Sequence, residues 1–179
     1  VRVLVDATAL PPDRGGVGRY VDQVVGEFAA LGVDPVIACQ DRDAAHFGAV
    51  PGATVVPAGS VARARPLRLA WEQSGLPLLV RRTGCQVLFS PHYTTALPTP
   101  VARVVTLHDA TFFSDPDVHH RGKRQFFRAW TRASLRIARV AVVPSAATRD
   151  ELVARAGADP GRLIVAHHGV DHSRFAPPP

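Results

Sequence analysis

No apolar run in this sequence reaches the roughly 18 residues that a bilayer-spanning helix needs, and the opening VRVLVDATAL has neither the basic start nor the small-residue cleavage site of a secretory signal. A cytoplasmic location is the expectation. Cysteine is scarce: Cys39 and Cys85 are the only two in 179 residues, each in or beside an apolar run where a reduced buried thiol is the common state, which excludes a disulfide framework. Lysine is scarcer still. Lys123 is the one lysine among 21 basic residues, and that bias, beside abundant alanine, reads as genome composition. The net charge of +6 is therefore a weak pointer to nucleic acid, and neither exposed aromatics interleaved with basic residues nor paired Cys/His motifs support that partner. No nucleic-acid partner is expected.

A hydrophobic content of 46% suits one α/β domain with a sizeable core. Short apolar runs at VRVLVD, DPVIAC, TVVP, QVLFS, ARVVTLHD, VAVVPS and RLIVAH alternate with helix-like stretches, the signature of a mostly parallel, doubly wound sheet with helices on both faces. The first helix is expected from about Gly18 to Leu31, with an apolar stripe of Tyr20, Val21, Val24, Val25 and Phe28 and a stop at Gly32. PLRLAWEQSGLPLLVRR has a helical pattern, and Gly75 and Pro77 predict a break or kink in it. Residues 57–66 read as a surface loop. The tail GVDHSRFAPPP, with three closing prolines, leaves the compact body as a stiff segment.

PPDRGGVGRY, residues 11–20, lies between a predicted strand and a predicted helix, where backbone N–H groups and the helix dipole can meet an anion. It is neither a Walker A loop nor a dinucleotide fingerprint, since no Gly-Lys-Ser/Thr follows and Val21 stands three residues after Gly18. A phosphate site on Gly15, Gly16, Gly18 and Arg19 and a merely flexible turn both remain open. In VVTLHDATFF, His108 and Asp109 fall at the end of a predicted parallel strand, where open α/β sheets bind ligands. A histidine there can donate to an oxyanion or a sugar hydroxyl, and the carboxylate can order the loop; a locally bonded histidine is the plainer reading. VHHRG and AHHGVDH do not place two imidazoles on one helical face, so no metal is expected. A hydrolase triad of Ser90, His108 and Asp109 fails for want of a serine elbow. Arg124, Arg128, Arg132 and Arg136 form a stripe opposite Phe127, Trp130 and Ile137, either a solvated helix face or a docking surface for an anionic membrane.

In order along the chain, the first strand with GGVGRY, then WEQSGLP, SPHYTTALP, TLHDATFF, PSAATRDEL and HHGVDHSRFAP resemble the N-terminal half of the retaining glycosyltransferases of family 4, enzymes of the GT-B fold. The WEQ and TLHD spellings look most like bacterial mannosyl and rhamnosyl transferases that build surface polysaccharides and glycolipids. The resemblance implies a Rossmann-like domain over residues 1–168 and the start of a hinge over 169–179. It implies that Gly15, Gly16, Gly18 and Arg19 approach the diphosphate of a nucleotide-sugar donor. His108, with Asp109, would lie near the reacting carbon, while Glu72, His92, Tyr93 and Thr94 face a glycan or lipid-linked acceptor. No cofactor and no obligatory metal are implied. A stand-alone binding module that kept the fold without catalysis is the alternative.

Overall fold

The computed structural model describes residues 1–59, 61, 64–170 and 175. Most of the expected hinge, including the terminal prolines 177–179, lies outside the described residues, as do positions 60, 62 and 63 of the expected loop.

Seven strands form one sheet: β1 (Arg2–Asp6), β2 (Asp34–Cys39), β3 (Thr54–Pro57), β4 (Val87–Ser90), β5 (Ala102–Thr106), β6 (Val140–Val143) and β7 (Leu163–Val165). Every pairing is parallel, in the order β3-β2-β1-β4-β5-β6-β7. The doubly wound reading of the sequence holds. Six helices accompany the sheet: α1 (Gly15–Phe28), α2 (Ala44–Gly48), α3 (Arg65–Thr83), α4 (Thr111–Ser114), α5 (Arg121–Ile137) and α6 (Ala146–Ala156).

Alternation along the strands divides the core between the two faces. Val3, Val5, Ile37 and Cys39 point one way, onto Val21 and Val25 of α1, while Leu4, Val36, Ala38 and Leu88 point the other way, onto Leu76 and Val80 of α3. A third cluster around Val105, Leu107, Val143 and Leu152 joins β5 to β7 with α4 and α6. Cys39 and Cys85 are buried free thiols.

Two helix boundaries differ from the sequence expectation. α1 starts at Gly15, three residues early, and Gly32 at φ +66 closes the turn that follows it. α3 runs unbroken through Pro77 to Thr83 and stops at Gly84, φ +65. An internal proline costs a helix about 3 kcal/mol, but burial of Leu76, Pro77 and Val80 is worth about 1.5 to 3 kcal/mol for each large side chain, so packing decides. Gly75 is no breaker either: a β-carbon there would stand 2.5 Å from the Trp71 indole, and its absence lets that ring lie along the helix.

The connection from β4 to β5, residues 91–101, has no helix. Arg103 holds it instead, donating from Nε to the Ala96 carbonyl (2.9 Å) and from NH2 to the carbonyls of Leu97 and Thr99 (2.5 and 2.6 Å). Ser90 is fully buried and donates to Thr95 Oγ1 (2.9 Å), so it presents no nucleophile.

The arginine stripe of α5 is turned onto the protein. Arg124 donates to the Pro116 carbonyl (3.2 Å), Arg128 to that of Phe112 (2.6 Å) and Arg132 to that of Arg155 (3.3 Å), with Arg128 and Arg132 also over the Phe113 ring. Arg124 and Arg128 are thereby half-buried against α4 and the turn after it, while Arg132 and Arg136 stay exposed, and no observation supports the membrane-docking alternative. No helix of the described residues is long and apolar enough to cross a membrane.

Candidate active site

The C-terminal ends of β1, β4 and β5 open onto a cavity of about 650 Å³. It lies where the strand order reverses, between β1 and β4, the crevice in which open α/β sheets bind ligands. The loop after β1 and the first turn of α1 line it with Leu10, Arg14, Gly15 and Gly16, and the start of α3 with Arg65, Arg68 and Leu69. His92, Tyr93 and Thr94 come from the β4–β5 connection, His108 from beyond β5, and Lys123, Phe126 and Phe127 from α5. Six of the residues singled out in the sequence therefore meet here: Gly15, Gly16, His92, Tyr93, Thr94 and His108. Gly18, Arg19, Glu72 and Asp109 do not line the cavity.

The glycines are the first turn of α1 rather than a loop ahead of it, and each differs in what it does. Gly15 takes φ +50, a left-handed conformation that a side chain disfavours. Gly16 needs no special angle, and a β-carbon there meets nothing within 4 Å, so the space beside it is open. Gly18 is buried, and a β-carbon there would run into the Arg14 side chain. Its lack of a side chain serves packing. Arg14 donates from Nε to Asp22 Oδ2 (2.9 Å) and from NH1 to Asp43 Oδ1 (2.9 Å), tying α1 to the turn after β2. Arg19 is exposed and, although it shares the helix face of Gly15 and Gly16, its side chain is not part of the cavity lining.

These differences predict that Gly16→Ala leaves the stability of residues 1–179 unchanged or raises it by up to about 1 kcal/mol, as at an ordinary helix position. Gly18→Ala should lower it by about 1 to 3 kcal/mol through overpacking. Urea denaturation of the two variants checks this; equal effects would mean that the glycines are interchangeable.

His108 follows β5 by two residues. Its Nε2 lies 2.9 Å from the Pro91 carbonyl; a carbonyl only accepts, so Nε2 carries the proton. Burial lowers its pKa, against the raising effect of that same bond, which favours the neutral ring. Nδ1 is then an acceptor, and among the described residues it makes no hydrogen bond. The nitrogen left for a ligand is therefore an acceptor, where the sequence suggested a donor. Tyr20 packs edge-on against it at 5.1 Å between centroids and donates or accepts at Thr106 Oγ1 (3.1 Å), while His168 comes within 6.0 Å. Neither Tyr20 nor His168 stood out as a site residue in the sequence, because only the fold brings α1 and the segment after β7 to β5.

Asp109 is engaged throughout. Its Oδ1 accepts from the Thr111 N–H (2.9 Å) and hydroxyl (2.7 Å), starting α4, and its Oδ2 accepts from the Tyr93 hydroxyl (2.5 Å). Although burial pushes its carboxyl up, these bonds hold it below the ordinary value. It fixes Tyr93; burial and the Asp109 charge raise the Tyr93 phenol in turn.

Glu72 is fully buried beneath the cavity and cannot touch an acceptor. Its Oε2 accepts from Arg68 NH1 (2.9 Å) and Thr94 Oγ1 (2.8 Å), and its Oε1 from Gln73 Nε2 (3.1 Å). Burial, with the Asp6 charge, raises its pKa. His92 joins the two carboxylates: Nε2 is 3.1 Å from Asp6 Oδ2, and Nδ1 is 3.1 Å from Thr94 Oγ1. Asp6, also fully buried, accepts from the Thr8 N–H (3.0 Å) and hydroxyl (2.6 Å). The ligand-capable atoms of Asp6, Glu72 and His92 lie within 4.8 Å of one another, a carboxylate–imidazole group that sequence spacing did not show. They are spent on one another, on Thr8, Thr94 and Gln73, and on the Arg68 cation, which competes with any metal for the same oxygen.

The family model of Glycosyltransferase Family 4 matches residues 14–174. No curated protein sequence matches the chain significantly. Among solved structures, a glycosyltransferase from Rickettsia africae is similar at TM-score 0.60 and 11% identity, over 98% of this chain and 45% of that one. HepE from Anabaena, in complex with UDP and glucose, is similar at TM-score 0.60 and 14% identity, over 96% and 45%. A UDP-GlcNAc 2-epimerase from Methanocaldococcus jannaschii shares the fold at TM-score 0.55 and 9% identity, over 92% and 44%. The chain thus spans a little under half the length of these structures, and at such identities the likeness is one of fold, here a Rossmann-like half of the GT-B architecture. With most of its length matched by the family model and its strand ends gathered at the switch point, the chain belongs to glycosyltransferase family 4.

Proposed function

We propose that these residues form the acceptor-side half of a retaining transferase, which moves a mannose-like sugar from a nucleotide-diphosphate donor to a glycan or lipid-linked acceptor. The hinge would begin near Gly169 and lead to a donor-binding domain. The observation that carries the reading is the convergence, in one cavity at the switch point, of an open helix start at Gly15 and Gly16 with His108, whose Nδ1 has no partner among the described residues.

In this reading the diphosphate approaches the backbone N–H groups at the start of α1, where the open space beside Gly16 admits it and the dipole favours its charge. His108 Nδ1 accepts a hydroxyl of the donor sugar and so orients the reacting carbon. Tyr93, fixed by Asp109, walls His108 on the acceptor side. Front-face attack follows, with the leaving diphosphate taking the acceptor proton.

The test is a nucleotide-sugar panel offered to the protein carrying both domains, with product configuration read by NMR. Transfer with retained anomeric configuration is the expected result; an inverted product, or no sugar nucleotide consumed, would overturn the reading. Residues 1–179 alone should transfer nothing, because the cleft that excludes water needs both halves. Turnover by them would show that the second half is dispensable.

A further inference from the structure

We infer that the acceptor side of the cavity takes an anionic amphiphile, an apolar chain ending in a phosphate-type group. The word acceptor rests on the function proposed above; the binding itself does not.

The walls are largely apolar, with Leu10, Val17, Leu69, Phe126 and Phe127 among them, and the described residues that line the cavity include four cations, Arg14, Arg65, Arg68 and Lys123, and no carboxylate. Arg14 is neutralised by Asp22 and Asp43. Arg65 and Lys123 make no ion pair among the described residues. Arg68 spends one nitrogen, NH1, on Glu72, which is buried and fixes the guanidinium from below. A surplus of positive charge thus stands at the rim of an apolar space, with Arg65 and Lys123 both exposed.

Helix polarity sharpens the argument. Arg65 and Arg68 begin α3 and Lys123 begins α5, and neither helix has an acidic residue in its first turn. Cations at those positions oppose the macrodipole, whereas an anion between the two helix starts is favoured by dipoles and side chains together.

With His108 assigned to the donor sugar, the acceptor side offers a neutral saccharide few free groups: Tyr93 donates to Asp109, Thr94 to Glu72, and both ring nitrogens of His92 have partners. What the acceptor side leaves over is apolar surface and positive charge. The donor diphosphate has a separate helix start, that of α1.

Lys123 makes a direct test, because it carries the only side-chain amine in the chain, and the α-amine of Val1, 70% exposed, is an internal reference. Residues 1–179 are subjected to reductive methylation with decyl phosphate, decyl maltoside or inorganic phosphate, each below any micellar concentration, and the two amines are followed by mass spectrometry. Decyl phosphate at ten times its Kd should slow Lys123 methylation about tenfold while leaving Val1 unchanged, and the other two compounds should not. Arg65→Ala, at an exposed position, should weaken the protection. Equal protection by decyl maltoside would show an apolar pocket without anion recognition, equal protection by inorganic phosphate a simple anion site, and no protection an unsuitable cavity; each overturns the inference. Protection by decyl phosphate without sugar transfer by the two-domain protein would remove the proposed function and leave the inference. Transfer to a neutral glycan with Lys123 unprotected would do the reverse.

Discussion

His108→Ala in the two-domain protein is expected to lower kcat by about 10², the cost of a misplaced reacting carbon, with a smaller rise in donor KM. The geometry explains why the loss should fall on the chemical step. The ring is locked by the Nε2 bond to Pro91 and by Tyr20 edge-on, so Nδ1 is aimed before the donor arrives and needs no reordering as the sugar moves toward the transition state. The same bond gives the variant a modest stability cost, about 1 kcal/mol, since the Pro91 carbonyl loses its partner. A kcat within threefold of the wild type, together with a large fall in Tm, would show that His108 only holds its loop.

Asp6→Asn should cost about 3 kcal/mol of stability, because a fully buried carboxylate is replaced while the groups bonded to it, His92 and Thr8, stay in place. For a chain of this size that lowers Tm by roughly 6 to 12 °C. The same group sets an acid limb. Burial pushes the Asp6 carboxyl up, but the charge and hydrogen bond of His92, with Arg68 and Thr8, outweigh it and bring the value down from 3.8 to about 2. A depressed carboxylate means that the unfolded chain takes the proton first. The stabilisation, about 2 kcal/mol, is therefore present above pH 3.8 and lost as pH falls through 2. Urea midpoints between pH 5 and 2 should show this slope in the wild type and a flatter one in Asp6→Asn. Identical slopes would place the acid sensitivity elsewhere.

The strands were legible in the sequence because a parallel sheet buried on both faces demands continuous apolar runs, and each of the seven predicted runs contains an observed strand. The placing of Gly16, His92 and His108 beyond strand ends followed from the same pattern, and the topology then made those ends neighbours. The order of the motifs also carried the family. Tertiary structure decided the rest. Whether Pro77 breaks a helix depended on what its neighbours bury, and which α5 arginines bond within the protein depended on the carbonyls left open by α4 and α6. Asp109 and Glu72 are carboxylates of the right type in the right segment, yet both are spent on holding other groups, Tyr93 in one case and Arg68 with Thr94 in the other. Sequence reports which groups are available; only the packed structure assigns each donor its acceptor, because a hydrogen bond formed inside the protein removes that group from the ligand's reach.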